Sequence, residues 1–311
     1  MTFIAPARMR GDRGRALGTH RSIVRAASAA SNAFLWIFIF QYFALFDTVG
    51  RALVQTLLLY ALVQTVTMLL SPFAMRRMRG GMLRGLIYGT LLMAAALTYI
   101  GALLGGLFPH GTAMIGILLG AYGALYRVPY TVERAAIGRG RVPGLTGEVL
   151  LACAPLLAGI CFAFGVPPHM LFFVLAVLAA SALVPLLYVP NVYEKFSWNY
   201  RETFGHFAAV ENRALLVSSL KRGIFGALLF LAWPLILIFL TQSYVGVGAA
   251  FSATILGILL FRSPQRRVFI DQHADGGAYL DEYTCLKEMG LALGRLIVCL
   301  VSALVILLPI F

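Results

Sequence analysis

Runs of about 18 or more residues with almost no charge recur along this chain, and they constrain its fold more than any other feature. A run of that length matches an α-helix crossing the hydrocarbon core of a bilayer. The composition agrees: 60% of residues are hydrophobic and only 12% are charged, about half the charge of a soluble domain. The pattern predicts an all-α polytopic membrane protein of about nine spans, near 26–46, 52–73, 85–108, 111–127, 148–166, 169–190, 220–241, 244–261 and 290–311. The first apolar run is about 20 residues long, too long for the core of a cleavable signal.

The charges between these runs are sorted. The gaps at 47–51, 109–110, 167–169 and 242–243 are short and nearly free of cations, whereas 23 of the 25 Lys and Arg fall in the leader and the alternate gaps. Only Arg51 and Arg295 lie elsewhere. Cytoplasmic loops carry the basic residues of membrane proteins, so the N-terminus is expected in the cytoplasm, in a bacterial-type plasma (inner) membrane. The formal net charge of +13 then reflects topology and attraction to anionic lipid, and no nucleic-acid partner is expected.

Four segments follow. Residues 1–25, Arg-rich and without apolar period, read as a disordered cytoplasmic arm; 26–190 as a six-helix N-terminal bundle; 191–219 as a cytoplasmic linker; and 220–311 as a shortened C-terminal half. The linker run Val192-Tyr193-Glu194-Lys195-Phe196-Ser197-Trp198-Asn199-Tyr200 has the mix of an amphipathic segment at headgroup level. An internal repeat joins the halves: Gly116-Ile117-Leu118-Leu119, Arg127-Val128 and Glu148 recur about 140 residues later as Gly257-Ile258-Leu259-Leu260, Arg267-Val268 and Glu288. On this register 244–261 matches the fourth span and 290–311 the fifth.

The layout resembles the major facilitator superfamily. The N-terminus inside, six spans, a long inner linker and a basic loop between spans two and three are shared. Ser71 to Gly81, with Arg76, Arg77, Arg79, Gly80 and Gly81, stands where that family keeps a Gly-x-x-x-Asp-Arg-x-Gly-Arg loop, here without the aspartate. Glu288 to Arg295 is similar to the start of the family's eleventh helix. The resemblance implies a secondary transporter or facilitator that moves a small solute by rocking two helix bundles. The family has twelve spans and this chain about nine. The alternative is therefore a non-transporting assembly subunit on a degenerate transporter scaffold, partnered by a second copy or another membrane protein.

Ionisable groups deep in a membrane mark function, and no Asp or Glu falls mid-span. Arg127 closes span four and Glu148 opens span five, with Arg267 and Glu288 in like places, so Arg127–Glu148 and Arg267–Glu288 are candidate gate pairs at the inner mouth. The competing reading is helix-end charges favoured by the helix dipole. Arg295, about a turn and a half inside the last span, is either an anion-binding residue on a cavity wall or an arginine snorkelling to headgroups. Tyr60, Gln64, Thr67 and Ser71 form a stripe at i, i+4, i+7, i+11. With Gln41, Tyr122, Tyr126 and Trp233 they are candidates for a substrate path, or else for bonds between helices. Pro155, Pro185 and Pro234 are expected to kink their helices. The five histidines show no ligand spacing and the four cysteines no CxxC. Asp271, Asp275, Asp281 and Glu282 are the one place for a paired-carboxylate metal site, but with Gly276-Gly277 between them they read as a solvated turn. No catalytic residue, metal site or cofactor is expected, and the chain does not read as an enzyme. Its expected partners are the bilayer and an unidentified small molecule.

Overall fold

The computed structural model describes residues 7–77, 81–108, 111–136, 145–189, 191, 196–260 and 280–308. Twelve α-helices follow in chain order: α1 (Ala7–Ala44), α2 (Val49–Arg77), α3 (Met82–Leu104), α4 (Thr112–Ala136), α5 (Leu145–Ala163), α6 (Pro168–Ser181), α7 (Leu183–Leu186), α8 (Tyr200–Ala208), α9 (Arg213–Ala227), α10 (Trp233–Thr241), α11 (Tyr244–Leu260) and α12 (Leu280–Leu307). There is no strand among the described residues. Six stretches are long and apolar enough to cross a membrane: Gly14–Ala44, Val49–Arg76, Met82–Leu104, Pro168–Leu186, Val210–Thr241 and Asp281–Leu307. Gly147–Ala163 and Tyr244–Leu260 are shorter apolar helices. The protein is an all-α, multi-pass membrane protein; of the nine expected spans, six fall on these long stretches, 148–166 and 244–261 fall on the two shorter helices, and 111–127 falls on α4, which is in neither set.

The leader departs from expectation. It is helical from Ala7 and continuous with the first apolar run. Leu17, His20, Val24 and Ala27 are all buried, spaced at three and four residues, so one face packs inward and holds the cationic stretch in helix. The helix that results is the hub of the molecule. Its buried Phe34, Ile37 and Phe38 sit among α2, α5, α6 and α10.

Proline breaks follow local chemistry. The sixth apolar segment is interrupted at Ala182, between α6 and α7, ahead of Pro185. Pro234 follows a five-residue π-helix, Leu228–Ala232, that joins α9 to α10. A proline ring clashes with the carbonyl four residues back, here that of Phe230, and the widened turn relieves the clash. Beside Pro155 the Leu156 N–H donates to Ser252 Oγ of α11 at 3.1 Å, so a neighbouring helix meets the backbone group the proline disturbs.

The packing has an exchange pattern. α1 packs on α2 and α5; α9 packs on α12 and α10 on α11. Across the molecule α2 packs on α12, α5 packs on α11, and α1 meets α10. Exchanging α1 with α9–α10, α2 with α11 and α5 with α12 reproduces this set of contacts. Glu148 and Glu288 lie on the exchanged helices α5 and α12, the first in the opening turn of α5 and the second just over two turns into α12. The exchange matches α11 with α2, not with the fourth span, so the correspondence of Gly116 with Gly257 is not one of position in the fold. Close approach within these pairs is made by glycine. A methyl on Gly294 would meet the Leu220 carbonyl of α9, and one on Gly248 the Pro155 carbonyl of α5. α3, α4 and α6 add a further layer on the first group, and α4 also reaches α12 of the second.

The end that bears the arginines is closed by the linker. Asn199 and Glu202 form a reciprocal capping box at the start of α8. Phe196, Trp198, Phe204 and Phe207 pack against a core of Met75, Val128, Leu215, Cys285 and Met289, and Trp198 stacks on His206 with ring centroids 4.1 Å apart. Ser197 donates from its backbone N and its hydroxyl to Glu282 Oε1, at 2.9 and 2.7 Å. Asp281 and Glu282 are thus buried beneath this cap, not part of a solvated turn.

Candidate functional site

Among the described residues, the charged groups near the basic end form two arginine–glutamate pairs, and neither is the expected one. Arg127 on α4 donates from Nη1 to Glu288 Oε2 on α12 at 2.9 Å, and Lys287 Nζ holds the other oxygen at 3.2 Å. The Glu288 side chain is 8% exposed and that of Arg127 is 35% exposed. Glu148 on α5 is met by Arg25 of α1 at 3.2 Å, with side chains 21% and 30% exposed respectively. The expected Arg127–Glu148 pair is absent because α4 and α5, though consecutive, are not among the principal packed pairs. Arg267, Asp271 and Asp275 lie outside the described residues.

A polar seam continues from Glu288 along the α2–α12 contact. Arg295 donates from Nη1 to Gln64 Oε1 at 3.4 Å, and Gln64 is 3% exposed. Arg295 lies against Gly226 of α9, and its Nε is buried with no hydrogen-bond partner. Tyr60, buried edge-on to Trp36 at 4.9 Å, lies in charge range of Arg295. Thr67 donates within its own helix to the Val63 carbonyl and lies 3.2 Å from the Gly120 carbonyl, tying α2 to α4.

The remaining path candidates lie elsewhere. Tyr122, Tyr126 and Tyr130 form a ladder on the face of α4 turned to α1, with centroids 5.4 and 5.9 Å apart. At its middle Tyr126 Oη lies 3.0 Å from His20 Nε2, and His20 Nδ1 lies 2.7 Å from the Ala182 carbonyl. A carbonyl only accepts, so Nδ1 carries the proton and Nε2 accepts from Tyr126. Arg21 sits over the Tyr130 ring at 5.2 Å. Trp233 donates to Thr254 Oγ1 at 3.1 Å, joining α10 to α11. Gln41 accepts from Tyr244 at 3.3 Å, far from the gate charges. Of the expected path residues, Tyr60, Gln64 and Arg295 share the seam, and Thr67, Tyr126, Trp233 and Gln41 bond to other helices.

A cavity of about 250 Å³ opens among α1, α5, α11 and the π-helical junction. Arg25, Ser28 and Asn32 line it from α1, facing Leu151, Phe230 and Phe251 among the apolar residues. The sequence carried a signal for this face of α1: Arg21, Arg25, Ser28 and Asn32 repeat the i, i+4, i+7, i+11 spacing of the Tyr60 stripe, and the last three of them line the cavity. Half of it lay in a stretch read as disordered. Among the described residues no group of three or more His, Cys, Asp or Glu could hold a metal ion. Compared with known protein families, with curated proteins and with solved structures, the chain matches none.

Proposed function

We propose that the protein is a secondary transporter or facilitator of a small solute, working by alternating access between two groups of helices. In this reading all nine helices span a bacterial-type inner membrane, the N-terminus is cytoplasmic, and no catalytic group or cofactor takes part. The observation that carries it is the Arg127–Glu288 pair. It joins α4 of the first group to α12 of the second at the basic end, while a solute-sized cavity lies between the same two groups. An ion pair with one partner nearly buried holds the ends together; separating them exposes both charges to water, which solvates them. Such a pair suits a contact that opens and recloses.

Cys285 provides the test. It is fully buried beside Val128 and Leu215, under the cap at the same end. With Cys153, Cys161 and Cys299 replaced by Ser, maleimide labelling of Cys285 in proteoliposomes reports opening. Glu288→Gln and Arg127→Gln are expected to speed labelling. Rates equal to those of the parent protein in both variants refute the gate.

A second reading is a non-transporting subunit that needs a partner. One observation favours it. The layer of α3, α4 and α6 has no counterpart on the second group among the described residues, and Phe225, Phe239, Leu300, Val301 and Leu304 are exposed there. Light scattering of the detergent-solubilised chain separates the readings: a stable oligomer with Cys285 protected in every variant supports the subunit.

A further inference from the structure

We infer that the cavity among α1, α5, α11 and the π-helical junction binds a small uncharged molecule with an apolar body and one amide-like group, the polar group on Asn32 and the body against the α5–α11 wall. This rests on the transport reading for its purpose and names the class of solute.

The polar groups on the wall decide the class. Arg25 is the one charged residue among those lining the cavity, and its charge is answered. Glu148 pairs with it at 3.2 Å, and it makes a further interaction besides. Ser28 donates to Met93 Sδ at 3.7 Å. Thr254 donates to the Ala250 carbonyl at 2.8 Å and accepts from Trp233 at 3.1 Å, so its hydroxyl is committed. Asn32 remains. It makes no hydrogen bond among the described residues, and its amide offers two donors on nitrogen and an acceptor on oxygen. The rest of the wall is hydrocarbon, with Leu151, Phe230, Phe251 and Ile255 prominent in it. A charged ligand would shed its water here and meet no opposite charge to take its place. An uncharged one with a single polar group gives up little water, and it supplies the partner that the Asn32 amide lacks.

Size and position restrict it further. The volume equals that of about eight liquid waters, which admits one ring with a short substituent and excludes a two-chain lipid. Asn32 stands seven residues beyond Arg25 along α1, about 10 Å farther from the basic end. The polar group of the ligand therefore lies deep, and its ring packs against Leu151, Phe251 and Ile255.

Benzamide, benzoate, benzylamine and toluene share a ring and differ in charge and polar group. Radiolabelled benzamide, dialysed to equilibrium against the detergent-solubilised full chain, is expected to bind saturably. Unlabelled benzoate and benzylamine should displace it roughly tenfold more weakly or worse, because their charges go unanswered. Toluene should be weaker by up to about tenfold, because it leaves the Asn32 amide unpaired. Asn32→Leu keeps the size of the side chain and removes the amide, so it should cancel the advantage of benzamide over toluene. Ile255→Trp fills the cavity and leaves every polar lining group in place, so it should abolish binding with the thermal unfolding midpoint unchanged. Leu151→Trp repeats that test from α5 should Ile255→Trp fail to fold. Benzoate or toluene displacing the label as well as benzamide does, an undiminished preference for benzamide in Asn32→Leu, or full affinity in a folded cavity-filled variant each overturns the inference. Absence of benzamide binding together with Cys285 opening defeats this site and spares the transport reading. Benzamide binding with no opening in any variant does the reverse.

Discussion

Two arginine–glutamate pairs stand on the basic side of this molecule, and they differ in what they join. Arg25–Glu148 links α1 to α5 inside the first group, and both side chains keep contact with solvent. Arg127–Glu288 links α4 to α12 across the two groups, with its carboxylate nearly buried and gripped from two sides. The glutamates are counterparts in the exchange of α5 with α12; their environments are not. A pair whose two charges both reach water adds about 0–1 kcal/mol, because water screens it. A buried carboxylate that loses its partner carries a far larger penalty. Glutamates on exchanged helices thus serve a local brace in one group and a junction between groups in the other.

The comparison breaks first at Glu288. Glu288→Leu should cost about 3 kcal/mol or more, since Arg127 and Lys287 are left without a counter-charge; chemical unfolding in mixed micelles measures it. Adding Arg127→Leu should recover part of that loss. Next comes the α9–α12 contact that holds the second group together. Gly294→Ala drives a methyl into the Leu220 carbonyl and should cost about 1–3 kcal/mol, read as a fall in unfolding midpoint. Ser197→Ala removes one of two hydrogen bonds to Glu282 and should cost about 1–2 kcal/mol; faster proteolysis within 196–212 would locate the effect at the cap. The smallest change is expected from Glu148→Gln, at or below about 1 kcal/mol by the same unfolding assay. A loss as large as that of Glu288→Leu would erase the distinction between the pairs.

The positions of the helices were legible because hydrophobic length and period act along the chain. The apolar segments lie on helices throughout the described residues. The identity of neighbours was not legible. Arg127 was matched to Glu148 because the two are close in sequence, yet α4 packs on α2, α3 and α12, and side-chain patterns do not encode which apolar face meets which. The leader shows a second limit. Leu17, His20, Val24 and Ala27 carry a helical period, but interspersed Arg and Gly dilute it below what local reading detects. The stripe of Tyr60, Gln64 and Thr67 faces inward as its spacing implied; its partner Arg295 lies 231 residues from Gln64.

The widened turn at Leu228–Ala232 fixes more than a bend. One residue of helix corresponds to about 100° of rotation, so an inserted residue turns everything beyond it by that angle relative to α9. Trp233 reaches Thr254 only in the resulting phase. Removing a single residue from the turn would swing the indole off α11 and displace Leu229 and Phe230, which face the cavity from the turn itself. The junction is thus a phase setter, and a shift of its register would reprogram one wall of the cavity while α9 stays seated on α12.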